Sequence, residues 1–252
     1  MDAVELRAWM GSATARFRTI HMRTRHVLDT DAYRAGLARF RSNPWVRELI
    51  DDTDWSRWSG TRESWYEAWW RKPADYRFEH AFHGGGIESI SGGDGRTTWQ
   101  FTPDDDRLRV DEDRSEAVTA FGEPADVAEF EPGTYDKSVG TMFWPQIGEL
   151  IDPSELLFSI KELRVTGEGE VLGRRVHRAE TTLDWSTLDA LYAENLPPAD
   201  DHELLVDAQI GVLLRIASRF DGEEFSVAEV THVAFDEPLE GDLFRPPKRP
   251  TR

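Results

Sequence analysis

The amino-acid sequence predicts a mainly β (α+β) fold built on an antiparallel sheet, and three observations predict it. From His202 to Phe235 the chain reads as a β-meander: three apolar, β-branched runs separated by residues 208–211 (AQIG) and by Asp221-Gly222. That dipeptide favours a tight hairpin because both of its positions need φ > 0. In the third run Phe225, Val227, Thr231, Val233 and Phe235 share one parity, and Ser226, Ala228, Val230 and His232 share the other. One face is therefore the more apolar, as in a sheet wrapped over a core or cavity. Finally, 252 residues suit one β-rich domain with a single core.

Taken in order, Ala3–Ala15 places Leu6, Trp9 and Met10 at i, i+3 and i+4, which predicts a first helix. Arg16–Val27 alternates Ile20 and Met22 with Thr19, His21 and Arg23, a strand pattern. Thr30-Asp31 offers a cap to a second helix carrying Tyr33, Leu37 and Phe40, which Asn43-Pro44 should end. An acidic, Trp-rich connection leads to strands at Ser64–Arg71, Tyr76–Phe82, Arg96–Thr102 and Arg107–Asp111, with Gly84–Gly86 and Gly92–Gly95 as turns between them. Glu112–Tyr135 reads as a long acidic loop, and Val139–Ile160 as two short helical pieces, the second opened by Asp152-Pro153. Strands resume at Leu163–Thr166 and Arg174–Leu183, a helix is expected at Ser186–Asn195, and residues 246–252 form a tail. The whole of 1–252 is expected to be one domain, with residues 1–50 integrated into it as a helix-strand-helix segment.

Composition narrows the function. The net charge is −18, although Met1–Ile50 holds nine Arg against five acids. A body this acidic repels phosphate backbones, so no nucleic-acid partner is expected. Without cysteine, thiolate chemistry and Cys-ligated metals are excluded. No apolar stretch of 18 residues and no secretory leader pattern occur, which predicts a cytoplasmic protein with no integral membrane segment.

Catalytic motifs give negative answers. His83-Gly84-Gly85-Gly86 lacks the G-x-S-x-G elbow that accompanies a lipase oxyanion loop, and reads as a hairpin turn. The glycines at 92–95 have neither nucleotide-binding spacing, and Asp104-Asp105-Asp106 lacks the Gly and distal Glu of a calcium loop. No cofactor and no metal site are expected.

Four stretches, residues 94–103 (DGRTTWQFTP), 150–180, 203–216 (ELLVDAQIGVLLRI) and 227–247, resemble the bacterial family similar to the lipoprotein carriers LolA and LolB. The likeness is strongest to their cytoplasmic, leaderless relatives, and it covers most of the chain from about Ser64 onward. It implies a half-open, curved antiparallel β-barrel whose concave face is covered by short helices, the stretch Asp152–Ile160 among them. The cavity so enclosed would hold an acyl chain or another hydrophobic molecule.

On that expectation the wall is formed by Ile20, Met22, Trp99, Phe101, Leu214 and Ile216, with Phe143, Trp144 and Leu157 from the covering segments. Six of the ten tryptophans lie between Trp45 and Trp70. Indole joins a large apolar face to one N–H donor, so Trp65 and Trp69 are further ligand candidates, with core packing as the alternative reading. His177 and His21 have two readings also: hydrogen-bonded sheet residues, or a neutral imidazole that orients a ligand or moves a proton. The expected function is a cytoplasmic binding protein for a hydrophobic small molecule or acyl chain. An enzyme of cyclase or isomerase type, folding a reactive precursor in the same cavity, is the alternative, with His177 and His21 as catalytic candidates. A partner-binding regulator is a third reading.

Overall fold

A computed structural model describes the chain except for residues 53–54, 56–58, 83–85, 95–96, 104–106, 113–146, 185–195 and 248–252. Its strands are β1 (Thr19–Asp29), β2 (Thr61–Arg71), β3 (Asp75–Phe82), β4 (Ile87–Asp94), β5 (Thr97–Thr102), β6 (Arg107–Glu112), β7 (Ile160–Val171), β8 (Arg174–Leu183), β9 (Asp201–Asp207), β10 (Leu213–Phe220) and β11 (Glu223–Phe235). All eleven join one sheet in the order β6-β5-β4-β3-β2-β1-β11-β10-β9-β8-β7. The strands thus form two meanders, β1–β6 and β7–β11, each built by antiparallel pairing of sequence neighbours. The pairing of β1 with β11 joins them, antiparallel like the rest. The ends of the order, β6 and β7, do not pair with each other, so the curved sheet is a half-open barrel.

Among the described residues five α-helices accompany it: α1 (Ala3–Gly11), α2 (Thr30–Leu37), α3 (Pro44–Asp52), α4 (Ile147–Ile151) and α5 (Ser154–Leu157). Asp2 and Glu5 form a capping box at the start of α1, which satisfies two of the backbone N–H groups a helix start leaves unbonded. At α2 the cap is Asp29, one residue before the Thr30-Asp31 pair: its carboxylate accepts from the backbone N–H of Asp31 and Ala32. Asn43-Pro44 does end the second helical segment, but Pro44 also opens α3, since the first helical position needs no N–H. The acidic, Trp-rich connection therefore holds a helix. The helix expected at Ser186–Asn195 lies outside the described residues.

The terminal meander is placed as the sequence indicates, with register shifts at Leu213/Arg215, at Ser218/Arg219 and, against β1, at Arg23/Thr24. Asp221 and Gly222 have φ of 51° and 82°, the left-handed pair that a two-residue hairpin loop requires. Asp221 is held there by the Arg39 guanidinium and by its own N–H donating to Asp200 (2.8 Å). A Gly222→Val variant is expected to lose roughly 1–3 kcal/mol through a β-branched residue at positive φ, read as a lower midpoint in thermal melting. An unaltered midpoint would remove this hairpin from the argument. Thr231 is an extra residue against β1, where the partner of Arg23 is His232 and that of Thr24 is Val230. The single parity read along the third run accordingly breaks: Ser226, Ala228 and Val230 share a face with Val233 and Phe235. A bulge of this kind is invisible to a period-2 pattern.

β4 is the strand the sequence hides. Gly92 and Gly93, read as turn residues, lie inside it, pairing with Arg77 and Tyr76 on one side and with Trp99 and Thr98 on the other. A Cβ on Gly92 would come within 2.4 Å of the Trp99 ring, and one on Gly93 within 2.8 Å of the Tyr76 ring. Glycine here makes room for two aromatic rings, one on each face, rather than for a turn.

Helices α1, α4 and α5 lie against the concave face. There Leu6, Met10, Leu150, Ile151, Leu156 and Leu157 join Ile20, Met22, Ala68, Trp70, Leu204 and Ile216 in the main core. A second, smaller cluster surrounds α2 and α3: Tyr33, Leu37, Val46 and Phe225, with Phe220 packed beside them. Among the described residues no helix is long and apolar enough to cross a membrane.

Candidate functional site

Strand alternation divides the expected ligand residues between two faces. Ile20 and Met22 lie on the concave face, both fully buried; Leu214, Ile216 and Leu157 belong to the same core. The tryptophans do not. Trp65, paired with Arg25, and Trp69, paired with His21 and Arg77, stand on the opposite, convex face. Trp99 follows in the same row through Gly92. Its indole N–H donates to the carbonyl of Phe244 (3.0 Å), and the short 3₁₀ helix Gly241–Phe244 covers it. Phe101 has the parity of Trp99 and sits opposite Ile90. A wall combining Trp99 and Phe101 with Leu214 and Ile216 is therefore not formed, because the register puts Trp99 in the row of His21 and Ile216 in the row of His26, on opposite sides of one sheet. Phe143 and Trp144 lie outside the described residues.

The two candidate histidines are also apart. His21 is on the convex face, hydrogen-bonded to Glu67 (2.7 Å) and stacked on the Trp69 indole (centroids 5.0 Å apart). Glu67 also receives the Arg23 guanidinium (2.6 Å). The sheet-surface reading fits His21. His177 is largely buried on β8, between Val206 and Glu168 in register. Its Nδ1 lies 3.8 Å from the exposed Glu168 carboxylate. It stands next to the open edge formed by β7.

A different set of polar residues marks the concave face. In register across β8, β9, β10 and β11 run Thr181, His202, Ser218 and Ser226. His26 on β1 continues the row through its Nε2, 3.0 Å from Ser226 Oγ, and pairs in turn with Ser64 on β2. All six are buried. This belt separates the two apolar clusters: Ser218 stands between Ile216 of one and Phe220 of the other, and Ser226 between Ala228 and Phe225. Burial of an imidazole opposes its charged form. Accordingly His26 is lowered to about 4 by desolvation, and His202 to about 3 by desolvation and the nearby Arg219 charge. Both are neutral at pH 7. His202 Nδ1 is 2.9 Å from Ser218 Oγ, so each buried ring has a hydroxyl partner.

The next row, Thr24–Tyr66–His80 across β1, β2 and β3, is less completely bonded. His80 Nδ1 meets Glu88 (3.0 Å) and the ring stacks on Tyr66 (4.5 Å, 12°). Among the described residues its buried Nε2 has no hydrogen-bond partner, nor does Thr24 Oγ1. These residues were legible by parity alone: Thr24 and His26 share the alternation of Ile20 and Met22, and His80 that of Tyr76 and Phe78. A polar residue on the apolar parity of a strand is the signal, whereas His21 occupies the polar parity. Among the described residues no group of three or more His, Cys, Asp or Glu side chains is arranged to hold a metal ion.

No family model matches the chain, and no curated protein matches it. Among solved structures, the MucA/MucB complex of Pseudomonas aeruginosa aligns with 98% of this chain and 62% of that one, at 15% identity and a TM-score of 0.49. The chain thus spans less than two thirds of that structure's length. LprF of Mycobacterium bovis aligns over 95% of this chain and 96% of its own, at 8% identity and a TM-score of 0.43. The Mycobacterium tuberculosis lipoprotein LppX aligns over 94% and 98%, at 11% identity and a TM-score of 0.42.

Proposed function

We propose that this protein binds a hydrophobic small molecule or acyl-bearing ligand on the concave face of its half-open barrel. The observation that carries the reading is the way that face is covered. The apolar wall of the main core is closed by α1, α4 and α5, which have nine, five and four residues. Helices this short do not persist by their own backbone bonding and stay only where their side chains pack. Leu150, Ile151, Leu156 and Leu157 supply that packing, and Arg7 fastens α5 by donating to the carbonyls of Leu157 (3.2 Å) and Ile160 (3.3 Å). A ligand chain that replaces these leucines keeps the wall out of water while the short helices move aside. Among the described residues the outer edges of β6 and β7 are unpaired, which leaves the barrel open for such an exchange.

The test combines native mass spectrometry of freshly purified protein with displacement of an apolar fluorescent dye by long-chain compounds. Displacement at micromolar concentration is expected, and a full panel of apolar ligands that displaces nothing would end the proposal. The proposal puts this binding in the cytoplasm, as the sequence led us to expect, and cell fractionation decides that point.

A further inference from the structure

We propose that the ligand of the half-barrel carries an uncharged hydrogen-bond donor, a hydroxyl in the simplest case, and that Nε2 of His80 receives it. This inference rests on the concave-face binding proposed above and specifies the chemistry of the ligand.

Glu88 faces Nδ1 at 3.0 Å, and an ionised carboxylate can only accept. The proton of a neutral His80 is therefore on Nδ1, which leaves Nε2 as a bare acceptor. Desolvation holds this imidazole below its ordinary pKa, against the opposing pull of Glu88, so the neutral form is the one present at pH 7. Nε2 is buried and has no hydrogen-bond partner among the described residues, with the ring stacked under Tyr66 and edge-on to Phe82 (4.8 Å). A buried acceptor without a donor is costly to the fold and ordinarily signals a missing partner. Thr24 Oγ1, on the same row across Tyr66, lacks one too.

The chemistry of the partner follows from what the niche offers. An alcohol or an amide N–H supplies the donor that Nε2 lacks. An ether or ester oxygen supplies only an acceptor. A carboxylate supplies no donor to Nε2 and meets the like charge of Glu88, even with the Arg62 guanidinium over the neighbouring Phe82 ring (5.3 Å). The ligand class is thus a long-chain alcohol or hydroxylated lipid rather than a free fatty acid.

Three probes of equal chain length decide it: 1-dodecanol, its methyl ether and laurate, each titrated against the bound apolar dye at pH 7.5. Dodecanol is expected to displace the dye at roughly tenfold lower concentration than the ether, the difference one neutral hydrogen bond makes, with laurate no better than the ether. In H80F the gap between alcohol and ether should close because the alcohol weakens, whereas H80Q, whose amide oxygen can still accept, should keep most of it. Should H80F fail to fold, H80L carries the same expectation, and the wild-type ratio needs no variant. Equal displacement by alcohol and ether in the wild type overturns the inference while leaving the container reading intact, as does a gap that survives in H80F or H80L. If neither probe binds, the container reading falls and this inference with it.

Discussion

Acidification from pH 7 to pH 4.5 is expected to destabilise the fold by about 5 kcal/mol through His26 and His202 together. Each is buried and neutral, with a folded pKa of about 4 and about 3 respectively against an ordinary 6.5. Between those values the unfolded chain binds the proton and the folded chain does not. Stability is therefore complete above pH 6.5 and falls as the pH drops, until each folded pKa is passed. Two pH units below 6.5 are worth ~2.7 kcal/mol per group. Asp152 acts the other way: burial raises its pKa, so its protonation favours the folded state and offsets part of the loss. Urea unfolding at pH 7 and pH 4.5 measures the sum, and a double variant, H26Q with H202Q, isolates the histidines. Its stability should depend on pH far less than the wild type's, and an unchanged pH dependence would show that the belt histidines are not the acid-sensitive groups. For a domain whose total stability is on the order of 5–15 kcal/mol, the wild type should approach unfolding at pH 4.5.

Gly36→Val should be the most damaging of the small substitutions in α2, at about 3 kcal/mol and a melting point lower by roughly 5–12 °C. A Cβ at Gly36 would lie 1.6 Å from Cε2 of Phe220 and 1.9 Å from its Cζ. That ring cannot retreat freely, because it is stacked on Phe225 with centroids 4.3 Å apart and lies under the Arg39 guanidinium. Alanine would gain about 1 kcal/mol of helix propensity over glycine, but it meets the same atoms, so Gly36→Ala should also destabilise. Coupling to Phe220 distinguishes packing from helix effects: in a Phe220→Ala background the cost of Gly36→Val should shrink by more than half. An unreduced cost would assign the effect to the helix backbone.

What the sequence determined by itself is local. The Asp221-Gly222 hairpin, β8 at Arg174–Leu183 and the short helices after residue 146 follow from turn chemistry, alternation and Pro placement, which act over a few residues and survive in any tertiary setting. The mainly β class follows from their sum. The tertiary structure alone decided three things. It made a strand of Ile87–Asp94, because the reason for Gly92 and Gly93 is the rings of Trp99 and Tyr76, which reach them only after the sheet has paired. It set Trp65, Trp69 and Trp99 on the convex face, apart from Ile20 and Ile216, since the side of a sheet that a residue occupies depends on which parity the helices bury and on bulges such as that at Thr231. And it assembled the belt from His26, Ser64, Thr181, His202, Ser218 and Ser226, contributed by six strands. Within its own segment each shows only as a polar residue on the apolar parity. Only register across the sheet turns them into a row, and only burial on the concave side makes the two histidines neutral.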